Sequence, residues 1–125
     1  MSNIIDPIID KMQLVLRARG RRHANISSNL ANADTVGFRA RRFEFEDELR
    51  SAEERGDLSA LGPERTEIGT LRTDLDAPAN PDGNTVSRET EITQMAENQL
   101  LYRATAKAVS RQLALIRYSI SEGGR

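Results

Sequence analysis

The chain has 125 residues, 38% of them hydrophobic and 30% charged, with no Cys, no Trp and one His. This length and composition support one domain with a thin core, and they exclude a disulfide framework, a thiolate site and a His/Cys metal cluster. The formal net charge is −1, but residues 1–42 carry eight Lys or Arg against three acids, residues 43–82 four against twelve, and residues 83–125 six against four. Basic ends and an acidic middle allow copies or neighbours to meet through complementary charge.

The first element is a long amphipathic helix. Ile5, Ile9, Met12, Leu16, Arg19, His23, Ile26, Leu30 and Ala33 recur in steps of four and three, the 3.5-residue period that keeps one seam of a helix against a partner over many turns. Asp6-Pro7 suits the start, with Ser2 or Asn3 as alternatives, because Asp caps free amides and Pro is tolerated in a first turn. The helix is expected to reach Asn32 or Ala33, before the turn-forming Asp34-Thr35-Val36-Gly37. Arg19 interrupts the apolar stripe and calls for a carboxylate partner or a polar channel.

Arg39 to Leu49 runs from basic to acidic around Phe43, Phe45 and Leu49, a pattern open to a short strand or an amphipathic helical turn. From Ser51 to Asn84, Gly56, Gly62-Pro63, Gly69, Pro78, Pro81 and Asp82-Gly83-Asn84 are too closely spaced for a long helix. This acidic middle is expected to be loop-rich and partly disordered, with extended pieces near Glu67 to Leu71.

A second long helix is expected from Ser87 to about Ser121. The Ser hydroxyl can cap it, and Glu89 and Glu91 complement its positive end. Its stripe runs Ile92, Met95, Gln99, Tyr102, Ala106, Val109, Leu113, Ile116 and Ile120, flanked by Leu101, Ala104, Ala108 and Leu115. So wide an apolar face implies burial among several helices. The fold class expected is mainly α, with long N- and C-terminal helices paired as a coiled coil around a loop-rich middle. The chain divides into residues 1–35 (helix and closing turn), 36–84 (middle), 85–121 (second helix) and 122–125 (tail).

Catalysis has little to stand on. His23, the sole imidazole, lies on a helix stripe, where a packed or interface role is the ordinary one. The pairs Glu46 with Glu48 and Glu53 with Glu54 belong to a solvated acidic face more readily than to acid/base work. The runs Arg17, Arg19, Arg21, Arg22 and Arg39, Arg41, Arg42 raise an alternative, a small helical nucleic-acid-binding protein. The acidic middle, the near-neutral total and the absence of interleaved aromatics in the first run stand against it.

The densest local signal is Asn29-Leu30-Ala31-Asn32-Ala33-Asp34-Thr35-Val36-Gly37-Phe38. Either a helix frays here into a Gly turn, or Asn29, Asn32 and Thr35 hydrogen-bond to backbone in a closely specified turn with Phe38 packed back on the helix. The stretch resembles the Asn-x-Ala-Asn-x-x-Thr-x-Gly-aromatic signature of bacterial flagellar rod and hook axial proteins. Asp82-Gly83-Asn84-Thr85-Val86, with Met95-Ala96-Glu97-Asn98 and Leu101-Tyr102-Arg103-Ala104, is similar to the proximal-rod members of that family. Val36 replaces the usual Pro, and Phe38 replaces a frequent Tyr.

The resemblance implies a non-enzymatic subunit of the proximal rod, with no cofactor. In that family the terminal helices pair into a coiled coil lining an inner tube, which assigns helix-packing roles to Ile5, Ile9, Met12, Leu16, Ile26 and Leu30 and to Met95, Tyr102, Val109, Leu113, Ile116 and Ile120. It assigns the turn to Asn29, Asn32, Thr35, Gly37 and Phe38. Implied partners are other copies, the rod adaptor protein, other rod proteins, the basal-body membrane ring and the type III export apparatus. The implied location is the basal body across the periplasmic region, reached without a cleaved signal peptide. Phe45-Glu46-Asp47-Glu48-Leu49 fits a Phe-x-x-x-hydrophobic export-gate element, and Phe45 and Leu49 fit a plain hydrophobic anchor equally well. No apolar run approaches the ~20 residues that span a bilayer, and the N-terminus lacks the pattern of a cleaved signal.

Overall fold

The computed structural model describes residues 5–56 and 67–124. Its elements are α1 (Ile5–Ala31), β1 (Arg41–Glu44), α2 (Glu46–Glu54), β2 (Thr70–Thr73) and α3 (Arg88–Gly123). The chain is mainly helical, with two long terminal helices packed together and a less regular middle. Arg19 meets Asn98 and Asn29 meets Glu91, so α1 and α3 run antiparallel. At 1.5 Å per residue α1 is roughly 40 Å long and α3 roughly 54 Å; the far end of α3 therefore outreaches its partner.

Local chemistry sets the boundaries. Ser87 caps α3 by accepting from the Thr90 amide at 3.4 Å, with Glu89 and Glu91 in the first turn, as the sequence indicates. Acidic Glu46, Asp47 and Glu48 occupy the first turn of α2, where they oppose the helix dipole favourably. Residues Arg39 to Leu49 hold both of the structures their pattern admits, first β1 and then the start of α2. β1 and β2 pair antiparallel with Phe43 opposite Leu71, so the extended piece expected near Glu67 to Leu71 is displaced only a little toward the C-terminus.

The buried apolar cluster is not centred on the heptad seam. It comprises Leu14 and Ala18 from α1, Phe43 and Phe45, Ala52 from α2 and Ile68, with Val15 and Leu49 packed against it. Around α1, Ala18 lies about a third of a turn from Met12 and Arg19, and Leu14 nearly half a turn. One side of α1 therefore covers the β1–β2 pair and α2, and another faces α3. The two phenyl rings sit 6.3 Å apart and tilted by 37°, an arrangement that aromatic quadrupoles favour. Each such side chain taken from water contributes about 1.5 to 3 kcal/mol, and most of them come from the middle segment.

The seam itself is thinner than the stripes imply. Ile26 is buried, while Ile9, Met12, Leu16, Leu30, Met95, Val109 and Ile116 are half-buried. Tyr102, Leu113 and Ile120 are exposed, and the Ile5 side chain lies outside the described residues. In the first turns of α3 the side facing α1 is one position away from the expected stripe. Glu91 and Asn98 are buried there, while Ile92 is exposed. Polar pairs dock this end of α3, and hydrophobic periodicity is blind to polar pairs.

Candidate assembly interface

The end of α1 is closed by its own polar side chains. Asn32 donates to the Ser28 carbonyl at 2.8 Å and Thr35 donates to the Asn32 side-chain oxygen at 3.2 Å. Gly37 adopts φ 71°, a left-handed conformation that Gly enters at least cost. Asn84, fully buried, then staples the turn to the segment before α3: its amide donates to the carbonyls of Asn32 at 2.8 Å and Thr35 at 2.7 Å. Its Oδ1 accepts from the Val86 amide at 2.8 Å. The Gly37 amide donates to the Asp82 carbonyl at 3.0 Å, and the Thr85 amide to the Phe38 carbonyl at 2.9 Å. The two sequence motifs, near the opposite ends of the chain, are one structure.

Asn29 extends this joint to β1. Its side chain exchanges two hydrogen bonds with the Arg41 backbone, accepting from the amide at 3.1 Å and donating to the carbonyl at 2.8 Å, and it donates to Glu91 at 3.1 Å. Arg42 binds the same Glu91 and also Asp74 at 3.1 Å. A carboxylate with no exposed surface is thus matched by a guanidinium and an amide, as a buried charge requires. Asn29 was legible in the sequence. Glu91, Asn98 and Arg42 as joint residues were not, although the seven-residue spacing of Glu91 and Asn98 places both on one side of α3.

The arginines of α1 serve the fold. Arg22 donates to the Phe43 carbonyl at 3.0 and 2.7 Å and pairs with Glu46. Its guanidinium lies 4.5 Å from the centroid of the Phe45 ring, with that of Arg19 at 5.2 Å, distances at which cations are attracted to aromatic faces. Arg21 lies over Phe43 and pairs with Glu67 at 3.2 Å. The partner of Arg19 is the amide of Asn98, which accepts from it at 3.3 Å and donates to its carbonyl at 2.8 Å; the Arg19 Nε is buried with no hydrogen-bond partner among the described residues. Burial pulls the Arg19 guanidinium below its usual pKa, Arg22 adds to this and Glu46 opposes it. With Arg19, Arg22 and Arg42 turned inward, the clusters offer no continuous phosphate-binding face.

The remaining surface is apolar in an unusual place. Leu100, Leu101, Tyr102, Leu113, Leu115, Tyr118 and Ile120 are all exposed along α3. His23 lies at a groove of about 280 Å³ between the helices, with Arg19, Gly20, Asn98, Gln99 and Tyr102. Phe45 is buried and Leu49 packs against it. Among the described residues no group of acids and His is placed to hold a metal ion, and no helix is long and apolar enough to cross a membrane.

A sequence profile for the family described as "Flagella basal body rod protein" matches residues 16–39, the second half of α1 and its closing turn. The chain is also similar to "Flagellar basal body rod protein FlgB" of Yersinia enterocolitica, at 33% identity over 90% of this chain and 93% of the relative. The chain belongs to the FlgB family of flagellar basal body rod proteins. The proteins of the same name from Escherichia coli K12 and Salmonella typhimurium are 31% and 30% identical, each across 90% of this chain and 92% of the relative. FlgB proteins are structural components of the basal body rod and not a known enzyme family. The profile match ends within two residues of Gly37, so the segment typical of the rod family is the one that Asn84 locks to the start of α3.

Proposed function

We propose that the chain is a building block of the proximal rod, assembling helically through its terminal helices to help form the hollow drive shaft of the flagellum. The observation that carries this is the far end of α3, where Leu113, Leu115, Tyr118 and Ile120 are exposed. Patches of this kind mark protein interfaces. Neighbouring copies, the rod adaptor protein and other rod proteins would cover it, with the basal-body membrane ring around the assembly. The seam of Ile5, Ile9, Met12, Leu16, Ile26 and Leu30 with Met95, Tyr102, Val109, Leu113, Ile116 and Ile120 would be completed by those neighbours, and the ends of the free subunit would be loosely held. The location is the basal body across the periplasmic region, reached through the type III export apparatus without signal cleavage. Phe45 and Leu49 are packed in the folded chain, so an export-gate role belongs to the unfolded chain before assembly.

The test replaces Leu113 with Asp, and separately Ile116 with Asp, in the bacterium deleted for its own copy. Leu113→Asp introduces its charge at an exposed position, so the purified variant should keep its helical circular dichroism and melting temperature while the cells lose flagella. Retained motility in both strains would overturn the assignment.

A further inference from the structure

The side of α3 turned away from α1 carries a second stripe that the seam does not use. Leu100, Arg103, Lys107, Arg111, Leu115 and Tyr118 follow one another at three- and four-residue steps and are all exposed. On a 3.6-residue helix these positions share one face, roughly opposite Asn98, Val109 and Ile116. No acid lies between Glu97 and Glu122, and Arg103, Lys107 and Arg111 form no ion pair among the described residues. The stripe is a row of cations with apolar ends.

The matching surface is on the same chain, on α2. α2 turns Ala52 and Leu49 into the core, which puts Asp47 and Glu54 on its outer face, seven residues or roughly 10 Å apart. The Asp47 side chain is 93% exposed and its contact with Arg50, itself largely exposed, is a loose surface pair at 3.2 Å; such pairs are worth little and exchange readily. Glu54 forms no ion pair among the described residues. Arg103 and Arg111 lie eight residues or roughly 12 Å apart on α3, so the two acids span nearly the same length as the two arginines.

We infer that the middle of the outward stripe of α3, from Arg103 to Arg111, docks on the outer face of α2 of a second copy, with Arg103 and Arg111 against Asp47 and Glu54. This rests on the assembly reading above and specifies one of its contacts. The two patches are different surfaces of one chain, so the contact is head-to-tail, and repetition of a head-to-tail contact generates a helical array. Leu100 and Leu115, about one turn beyond either arginine, shield the ends of the charged row from water, which strengthens the pairs between them.

The test reverses charge on each side. Arg103→Glu with Arg111→Glu should abolish motility, as should Asp47→Lys with Glu54→Lys. All four substitutions in one chain should restore it, and so should co-expression of the two double variants, because each then offers the other a complementary face. Circular dichroism and melting of the purified variants check that each is folded. Loss of motility on Leu113→Asp combined with no rescue by the fourfold variant would overturn this contact and leave the assembly reading standing. Motility lost only on α3 reversal would assign the stripe to a different chain and overturn the pairing. Failure of rescue with α3-dependent cosedimentation on phosphatidylglycerol vesicles would assign the stripe to a lipid surface and overturn it as well.

Discussion

The Asn29 amide donates to the Glu91 carboxylate at 3.1 Å, across 62 residues of chain, and this contact ties the last turns of α1 to the first turn of α3. Arg42 reaches the same carboxylate from β1. Three elements therefore meet at one buried charge, which holds the start of α3 against the end of α1 and against β1.

Glu91→Ala should destabilise the chain by about 3 kcal/mol, the range for breaking a buried pair from one side. The remaining contact of Arg42 with Asp74 keeps the cost toward the lower end. Glu91→Gln keeps the shape of the side chain but one acceptor oxygen in place of two, so it retains only one of the hydrogen bonds from Arg42 and Asn29, and it should still cost less than Ala. Urea unfolding followed by circular dichroism measures both, with Glu91→Ala the less stable of the two.

Asn84→Asp is a sharper probe of the closing turn than Asn84→Ala. The amide of Asn84 donates to two carbonyls, and a carboxylate of the same shape can donate to neither and faces both with negative charge. The expected loss is about 3 kcal/mol for Ala, which leaves the buried Val86 amide without its acceptor and takes one of two donors from each carbonyl, and more for Asp. Equal melting temperatures for the two variants would count against this account.

Acid should weaken the contact between α1 and the start of α2. Burial raises the pKa of Glu46, but hydrogen bonds from Arg22 and from the amides of Glu46 and Phe45, together with the Arg22 charge, outweigh it and hold the carboxyl at about 2 against an ordinary 4.5. A lowered folded-state value means stability that is fully present above pH 4.5 and is lost as pH falls toward 2. Because the side chain is 47% exposed, solvent limits the effect to about 1 kcal/mol or less. Stability measured at pH 3 and pH 6 should differ less in Glu46→Gln than in the unaltered chain.

Both long helices were legible in the sequence because the cap at Ser87, the Gly-rich breaks and the stripes all agree. The closing turn was legible because its Asn and Thr residues are poor helix formers with a specific alternative use. The core was not. Leu14 and Ala18 lie between Lys11 and Arg22 on a side of α1 that a single seven-residue stripe assigns to solvent, and their partners Phe43, Phe45 and Ile68 come from a segment whose Gly and Pro content reads as loop. The alternation of Phe43 and Phe45 was the available signal, since residues two apart on a strand share a face. The joint at Glu91 escaped because a buried carboxylate is recognisable only with Arg42 beside it, and these two residues are far apart in sequence.

Among the described residues, Gly69→Ala should be the most damaging glycine substitution of the middle segment, and comparison with Gly37→Ala isolates the reason. Both residues have positive φ, 103° and 71°, so each variant bears backbone strain of about 1 to 3 kcal/mol. At Gly37 an added Cβ meets nothing within 4 Å, whereas at Gly69 it falls 2.4 Å from Cζ of Phe43. Phe43 cannot yield freely, because Arg21 covers its ring and Leu71 pairs opposite it. Overpacking adds about 1 to 3 kcal/mol, so Gly69→Ala should lower stability by roughly twice as much as Gly37→Ala. Thermal melts of the two variants read the difference directly, and equal losses would show that the Phe43 ring moves aside.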